Sequence, residues 1–366
     1  MRIVFVIVQL ANGGAERALT TFANALAKMG EDVHIVCLED AEDDYTVDAN
    51  VKRHLLQASA DSKRKRSVFR VIAAVRQLRN LSADVIIPFC PPYSFYCCIH
   101  FAVLFSKTKM IYTVRNNRKN IPNKRQELLS RISSYLADGI WVQTQEQCRF
   151  FPKFMHKKIF AVRNMIDDRF LNIPRTNRDK ICHFINVGRL HPQKNQKMLI
   201  RAFERMVKRT GNEDATLTIY GKSGVDYAET ETELKDLISR SHLEGRVFLP
   251  GRVSDIETRY AQADAFVLSS NYEGCPNALM EAMAAGLPCI STDCPTGPSM
   301  LIENGKNGIL VPVEDEKALS YAIESMIMNP QSANYMGMTA KQSMKEWESA
   351  EELAKQLMVH LRRICS

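Results

Sequence analysis

Two glutamates follow a short apolar run, residues 265–268, that has the composition of a buried strand. Glu273 precedes a turn, and Asn277 stands where it can cap a helix that carries Glu281. Amides at a helix start attract phosphate, whereas carboxylates so close to a phosphate repel it unless they have another task. Accepting hydrogen bonds from sugar and ribose hydroxyls is such a task. The spacing predicts a site for a phosphorylated, hydroxyl-rich ligand; for Glu281 alone, a surface position on the helix is the alternative.

Two cations follow another predicted strand, residues 181–187. Arg189 presents a planar fork of donors to phosphate, and Lys194 presents a mobile point charge. Gly188 opens the loop that carries both of them. Arg189 and Lys194 could therefore face one diphosphate; a solvated basic loop is the alternative.

A glycine pair, Gly13 and Gly14, follows the first predicted strand and precedes a helix. Two glycines let the backbone approach an anion, and the first helical amides point towards it. The G-x-G-x-x-G fingerprint and the G-x-x-x-x-G-K phosphate loop are both absent from this segment. The pair is therefore a weak signal alone, and a tight turn without a ligand is the alternative.

The elements that must position these residues form a strand–helix alternation that restarts near residue 181. Such an alternation is typical of α/β proteins with doubly wound parallel sheets, which bind ligands beyond the carboxyl ends of the strands. The polar, proline-containing segment 167–180 is the predicted linker. The predicted strands are 2–8, 33–38, 84–89, 109–114, 139–143, 181–187, 216–220, 247–249, 265–268 and 288–292, and the chain should close with helices over 333–364.

Composition and charge bound the class of protein. The chain has 366 residues, 45% of them hydrophobic, which is enough for two cores. Up to Arg175 there are 27 Lys and Arg against 16 Asp and Glu, a net charge of +11, whereas the remainder is net −3. A basic first half favours an anionic partner, with a solvated basic surface as the alternative. Ten scattered cysteines, no secretory signal and no apolar run of about 20 residues favour a cytoplasmic protein.

The segment from Glu273 to Glu281 resembles the E-G-x-P-x-x-L-x-E-A signature of family 4 glycosyltransferases, which are retaining enzymes of the GT-B fold. The resemblance covers nearly the whole chain. It implies two Rossmann-like domains with parallel sheets facing across a cleft: 1–170 for the acceptor and 171–345 for the nucleotide sugar. A last helix, 346–366, follows, and the periodicity leaves open whether it returns to the first domain. Other segments that fit the family are Gly13 to Arg17, Gly188 to Leu190 with Lys194, Gly251 to Val253, Asp293 to Pro298 and Asn304 to Gly308.

The resemblance assigns roles by position. Arg189 and Lys194 would neutralise the donor diphosphate, Glu273 would contact the donor sugar, and Glu281 would hold the ribose hydroxyls. Because cations and helix amides stabilise the leaving group, neither a metal ion nor a cofactor is expected. The remaining donor-binding candidates are Gly13, Gly14, Gly188, Arg252, Val253, Gly274, Cys275, Pro276, Asn277, Ala278 and Leu279.

One departure concerns the acceptor side. Many relatives carry a histidine after the strand that is residues 109–114 here, where this chain has Arg115 and Asn116. Either residue could take the sugar-contacting place, together with Glu16; a simple turn role for Asn116 is the alternative.

The predicted activity is transfer of a hexose or N-acetylhexosamine from a nucleotide diphosphate sugar, UDP-linked, to a glycan or polyprenyl-diphosphate-linked acceptor. The alternatives are a UDP-sugar epimerase on the same scaffold or an NAD(P)-dependent oxidoreductase. Binding of nucleic acid is not expected, because no recognised nucleic-acid module is found. The basic residues Lys63 to Arg66, Arg70, Arg76, Arg79, Arg118, Lys119, Lys124 and Arg125 favour contact with the anionic inner face of the cell membrane.

Overall fold

The computed structural model describes residues 1–11, 13–39, 45, 47–55, 63–89, 93–115, 121, 123–224 and 227–366. They form two compact units, each with its own parallel sheet. The first unit comprises Met1–Met165 and Glu348–Ser366, and the second comprises Ile166–Trp347. The predicted α/β class with two Rossmann-like parallel sheets is therefore confirmed.

The first unit has a seven-stranded sheet in the order β3-β2-β1-β4-β5-β6-β7, with every pairing parallel. Apart from the edge strand β3, which is polar and partly exposed, its strands are largely buried because helices cover the sheet, and they are accordingly rich in apolar residues. The elements are β1 (Arg2–Ile7), α1 (Gly14–Lys28), β2 (Asp32–Cys37), β3 (Lys52–Leu55), α2 (Lys63–Asn80), β4 (Val85–Pro88), α3 (Tyr93–Val103), β5 (Lys109–Thr113), α4 (Lys124–Leu136), β6 (Gly139–Val142), β7 (Ile159–Ala161) and the last helix, α13 (Ala350–Cys365).

The second unit has a six-stranded parallel sheet in the order β10-β9-β8-β11-β12-β13. Two hydrophobic clusters form its core. The elements are α5 (Asp168–Leu171), β8 (His183–Val187), α6 (Gln196–Thr210), β9 (Thr216–Tyr220), α7 (Glu229–Arg240), β10 (Val247–Gly251), α8 (Ile256–Gln262), β11 (Ala265–Leu268), α9 (Asn277–Ala284), β12 (Cys289–Thr292), α10 (Pro298–Leu301), β13 (Ile309–Val311), α11 (Glu316–Met328) and α12 (Pro330–Lys345).

The segment predicted as a polar linker, 167–180, is part of the second unit. Phe170 is fully buried there. The Arg175 guanidinium donates to the backbone oxygens of Ala263, at 2.5 Å, and Asp264, at 2.9 Å. Burial lowers the pKa of Arg175 to about 10. The polar Arg175 of this segment therefore makes structural contacts within the second unit.

The last helix, α13, belongs to the first unit and packs on α1. Arg362 donates to the Glu31 carboxylate at 2.9 Å, and the His360 ring stacks on Phe160 with 4.6 Å between centroids. A capping box at Ser349 begins the helix. The chain thus returns to its first unit after completing the second.

Candidate active site

The second unit has its topological switch point between β8 and β11. The chain leaves β8 towards β9 on one side and reaches β12 from β11 on the other, so the loops at the carboxyl ends diverge and leave a crevice. The loop that carries Arg189 and Lys194 follows β8, and the loop that carries Glu273 follows β11. Strand order alone therefore brings two of the predicted motifs together.

Hydrogen bonds join these two loops. The Gln193 side-chain amide donates to the backbone oxygen of Tyr272 at 2.8 Å. The backbone N–H of Asn271 donates to the backbone oxygen of Gln193, also at 2.8 Å. The Ser269 hydroxyl donates to the Lys194 oxygen, also at 2.8 Å. The relative position of the two loops is consequently determined by hydrogen bonds to their backbone oxygens.

Lys194 and Glu273 form an ion pair across these loops. Lys194 Nζ lies 2.6 Å from Glu273 Oε1, and only 18% and 7% of the two side chains are exposed. The Ser270 hydroxyl donates to the same carboxylate oxygen at 2.5 Å. The lysine stem lies over Gly188, where an added Cβ would come 3.4 Å from Lys194 Cε. The ammonium and the carboxylate are thus held at one point beyond β8 and β11.

Helix α9 begins at this site, and Pro276 is its N-cap residue. Asn277 is therefore the first helical residue and not the cap that the sequence predicted. No side chain caps the helix, so its start keeps the character of an anion site. Gly297, at φ +99°, packs against the turn, and its absent Cβ would lie 2.7 Å from Pro276 Cδ. The Thr296 hydroxyl donates to the backbone oxygen of Glu273 at 2.5 Å.

Glu281 is buried, so the alternative of a surface helix position is wrong. The Tyr260 hydroxyl lies 3.1 Å from Glu281 Oε2 and 3.2 Å from the Ala278 oxygen. A buried carboxylate with a phenol partner has a defined orientation. Tyr260 therefore orients the Glu281 carboxylate within the second unit.

The other predicted donor residues lie along the same edge of this sheet. Arg189 is exposed, and its backbone oxygen accepts from Gln196 at 2.9 Å. Arg252 is exposed just beyond β10, and Val253 packs on the hydrophobic cluster beneath α9. Gly274 and Cys275 belong to the turn between β11 and α9, whereas Ala278 and Leu279 belong to the first turn of α9.

In the first unit, the glycine pair lies at the carboxyl end of β1. Gly13 is the N-cap of α1, and Gly14 is its first residue. The Glu16 carboxylate folds back over Gly13, where an added Cβ would come 1.9 Å from Glu16 Oε2. Tyr45 donates to the Gly13 oxygen at 3.0 Å. Only glycine at position 13 allows this carboxylate position.

Arg115 lies beyond β5, at the same edge of the first sheet. Its Cζ atom is 3.8 Å from the Phe89 ring centroid and 3.9 Å from that of Trp141. One guanidinium nitrogen lies 3.4 Å from Asn164 Oδ1. Asn116, the other candidate for the sugar-contacting place, lies outside the described residues.

Two family models match the chain. The model described as "Glycosyltransferase Family 4" matches residues 12–170, and that described as "Glycosyl transferases group 1" matches residues 172–343. The chain belongs to the family 4 glycosyltransferases. The resemblance inferred from the motifs is therefore confirmed.

Relatives of this glycosyltransferase include two Campylobacter jejuni enzymes. One is the α-1,4-N-acetyl-D-galactosaminyltransferase of GalNAc-α-(1→4)-GalNAc-α-(1→3)-diNAcBac-PP-undecaprenol, 29% identical over 95% of each chain. The other is the N-acetylgalactosamine-N,N'-diacetylbacillosaminyl-diphospho-undecaprenol 4-α-N-acetylgalactosaminyltransferase, 25% identical over 88% of each. The solved structure of HepE from Anabaena with UDP and glucose superimposes with a TM-score of 0.81, at 18% identity and 99% coverage of both chains.

Two titratable groups near the candidate site have shifted pKa values. Burial lowers the pKa of His191, and the neighbouring Arg189 and Lys194 lower it further, so the imidazole is neutral near pH 7. Burial, reinforced by Glu273, raises the pKa of the Cys294 thiol to about 12. Cys294 therefore stays protonated and is not a nucleophile.

Sequence reasoning missed the residues that hold the site together. Tyr260 and Ser270 contact the two glutamates, and Asn164 contacts Arg115. Asn195 caps α6 by accepting from the Met198 amide, and an asparagine before an amphipathic run was a signal that could have found it. The other contacts join distant segments and have no local signature.

Proposed function

We propose that this glycosyltransferase moves a hexose or N-acetylhexosamine from UDP to a glycan or polyprenyl-diphosphate-linked acceptor, with retention at the anomeric carbon and without a metal ion. The observation that carries the proposal is the Lys194–Glu273 pair beside the uncapped start of α9. A cation and helix amides suit a diphosphate, and the carboxylates Glu273 and Glu281 suit the hydroxyls of a sugar and a ribose.

The chemistry follows from the leaving group. Breaking the bond between the sugar and the diphosphate develops positive charge on the sugar and negative charge on the diphosphate. Arg189, Lys194 and the first amides of α9 stabilise the negative charge, while Glu273 contacts the donor sugar. Retention results if the acceptor hydroxyl attacks the donor sugar from the face from which UDP departs. The acceptor hydroxyl then loses its proton to the departing phosphate oxygen.

In this proposal the cations take the place of a metal ion. Within the described ranges, no group of three or more His, Cys, Asp or Glu side chains is arranged to hold one. Turnover measured with excess EDTA tests the point. Unchanged turnover is expected, and a loss that Mg²⁺ or Mn²⁺ restores would contradict it.

The acceptor proposal rests on the relatives and on charge. Both Campylobacter enzymes act on undecaprenyl-diphosphate-linked glycans, as their names state. The first 175 residues of this chain carry a net charge of +11, which suits a diphosphate and an anionic bilayer surface. We therefore place the enzyme in the cytoplasm, at the inner face of the cell membrane. None of the helices in the described ranges has the length and hydropathy of a bilayer span.

A panel of nucleotide sugars tests the function directly. We expect UDP-hexoses or UDP-N-acetylhexosamines to raise the melting temperature, NAD(P) to leave it unchanged, and transfer to occur with a polyprenyl-diphosphate-linked glycan. Product NMR reports the anomeric configuration. Conversion of the UDP-sugar into its epimer without an acceptor would contradict the proposal and favour the epimerase alternative.

A further inference from the structure

Helix α4 (Lys124–Leu136) exposes its apolar side. Four large apolar side chains recur at helical spacing and are 42–64% exposed: Leu128, Ile132, Tyr135 and Leu136. An ordinary surface helix buries such a stripe and exposes its polar face. In α4 this arrangement is reversed.

Serines form the buried face of α4. Ser130, Ser133 and Ser134 are all buried, although serine is rarely preferred for packing. The Ser130 hydroxyl lies 2.7 Å from the Tyr112 hydroxyl, and the backbone oxygen of Ser133 lies 3.1 Å from His100 Nε2. These polar contacts attach the helix to its unit, so folding does not account for the apolar stripe.

Neighbouring segments extend the stripe. The Tyr135 ring lies 6.4 Å from the Phe154 ring, which is also exposed. At the end of α3, which packs on α4, Leu104 is exposed and Phe105 is 98% exposed. Phe105 also has φ +65°, in the left-handed region that favours glycine over a bulky aromatic residue. A fully exposed aromatic ring at such a position points to a role outside folding.

The charges around this surface are basic. The exposed cations are Lys107, Lys124, Arg125, Arg131, Lys153 and Lys157. The nearby acidic groups are paired: Glu127 with Arg131 at 2.6 Å and Asp138 with Lys109 at 3.1 Å. The surface is therefore apolar and aromatic at its centre and cationic at its rim.

We propose that this surface, the apolar stripe of α4 with Phe105 and Phe154, docks the enzyme onto a bilayer that contains anionic phospholipid. Aromatic rings and aliphatic side chains enter the headgroup boundary, while the surrounding Lys and Arg side chains meet lipid phosphates. A second copy of the chain fits less well, because a two-fold interface would bring one cationic rim against another. The inference rests on the proposed lipid-linked acceptor, since it identifies the surface by which the enzyme reaches that acceptor.

Co-sedimentation with vesicles tests the proposal on the full chain. Wild type is expected to bind vesicles of phosphatidylglycerol and phosphatidylcholine and to be released by salt, and to bind pure phosphatidylcholine weakly. Ile132→Ser combined with Leu136→Ser should lower the partition coefficient roughly 25-fold, about fivefold per side chain. Phe105→Gly should also lower it while suiting the local backbone, so its loss of binding cannot be ascribed to misfolding.

The matched control is Met338→Ser, which changes an exposed apolar side chain of the second unit and should leave vesicle binding unchanged. A UDP-induced shift in melting temperature is measured on every variant. That shift should persist in all of them, so a failure of docking is distinguishable from a failure of the proposed donor site.

Three results would overturn docking to lipid. The first is binding of the Ile132→Ser/Leu136→Ser variant to anionic vesicles at wild-type strength, and the second is no vesicle binding by wild type. The third is a dimer in gel filtration that these substitutions dissociate while vesicle binding is unaffected, which would assign the surface to a second copy of the chain.

Discussion

Replacing Lys194 with alanine should slow sugar transfer about 10²- to 10³-fold, the usual effect of removing one donor that stabilises a developing negative charge. Lys194 Nζ is placed for this task beside the start of α9 by its 2.6 Å contact with Glu273. The effect should fall on turnover more than on donor binding, because the diphosphate gains charge as the sugar bond breaks.

The substitution also leaves Glu273 without its cation. Removing one partner of a buried pair destabilises a protein by about 3–5 kcal/mol. Since 18% of the Lys194 side chain remains exposed, we expect a loss at or below the lower end of that range. A second variant that combines Lys194→Met with Glu273→Gln removes both charges, so stability should recover while transfer should not.

The assay is single-turnover transfer from the UDP-sugar, with the melting temperature measured in parallel. Lys197→Ala is the matched control, since this lysine lies three residues away and pairs with Glu233 at 2.9 Å in an exposed position. Exposed pairs contribute at most about 1 kcal/mol, so this variant should retain transfer and stability.

Near-normal transfer by Lys194→Ala would refute the diphosphate role. A second result would also refute it: Lys194→Ala is slow, but the variant that combines Lys194→Met with Glu273→Gln recovers both transfer and stability. The ion pair would then have only a structural function.

Three further predictions follow from the contacts. Tyr260→Phe removes the hydroxyl that lies 3.1 Å from Glu281 Oε2. A hydrogen bond to a charged group contributes about 1.5–3 kcal/mol, so isothermal titration should show UDP binding weaker by at least about tenfold. Unchanged binding would separate Glu281 from the donor. Gly221→Ala would place a Cβ 1.9 Å from the Gly188 oxygen, so calorimetry should show a melting temperature lower by at least about 4 °C, and an unchanged value would contradict the close approach. Burial lowers the pKa of His34, whose Nδ1 atom lies 2.8 Å from His54 Nε2. The unfolded chain therefore binds a proton at His34 more readily than the folded chain, and urea unfolding should show that the free energy of unfolding falls as the pH drops below about 6.5. His34→Gln should make that fall shallower.

The sequence predicted the strands that helices cover on both faces. Residues 265–268 are a continuous apolar run, whereas residues 216–220 alternate threonine with apolar side chains, and both strands have the predicted bounds. It missed β3 (Lys52–Leu55) because that strand lies at a sheet edge and is polar. It also did not predict α4, although the apolar residues of this helix recur at helical spacing, and that spacing gives no sign that the serine face is the one that packs.

The sequence by itself identified the residues of the candidate site, because loop glycines, cations and glutamates after apolar runs have local signatures. Their contacts were decided by the tertiary structure. Lys194 and Glu273 are 79 residues apart and meet only because β8 and β11 are neighbours in the sheet. The burial of Glu281 by Tyr260 likewise depends on packing between helices α8 and α9. Local spacing specifies which chemistry a segment can offer, whereas strand order and packing determine which groups share one site.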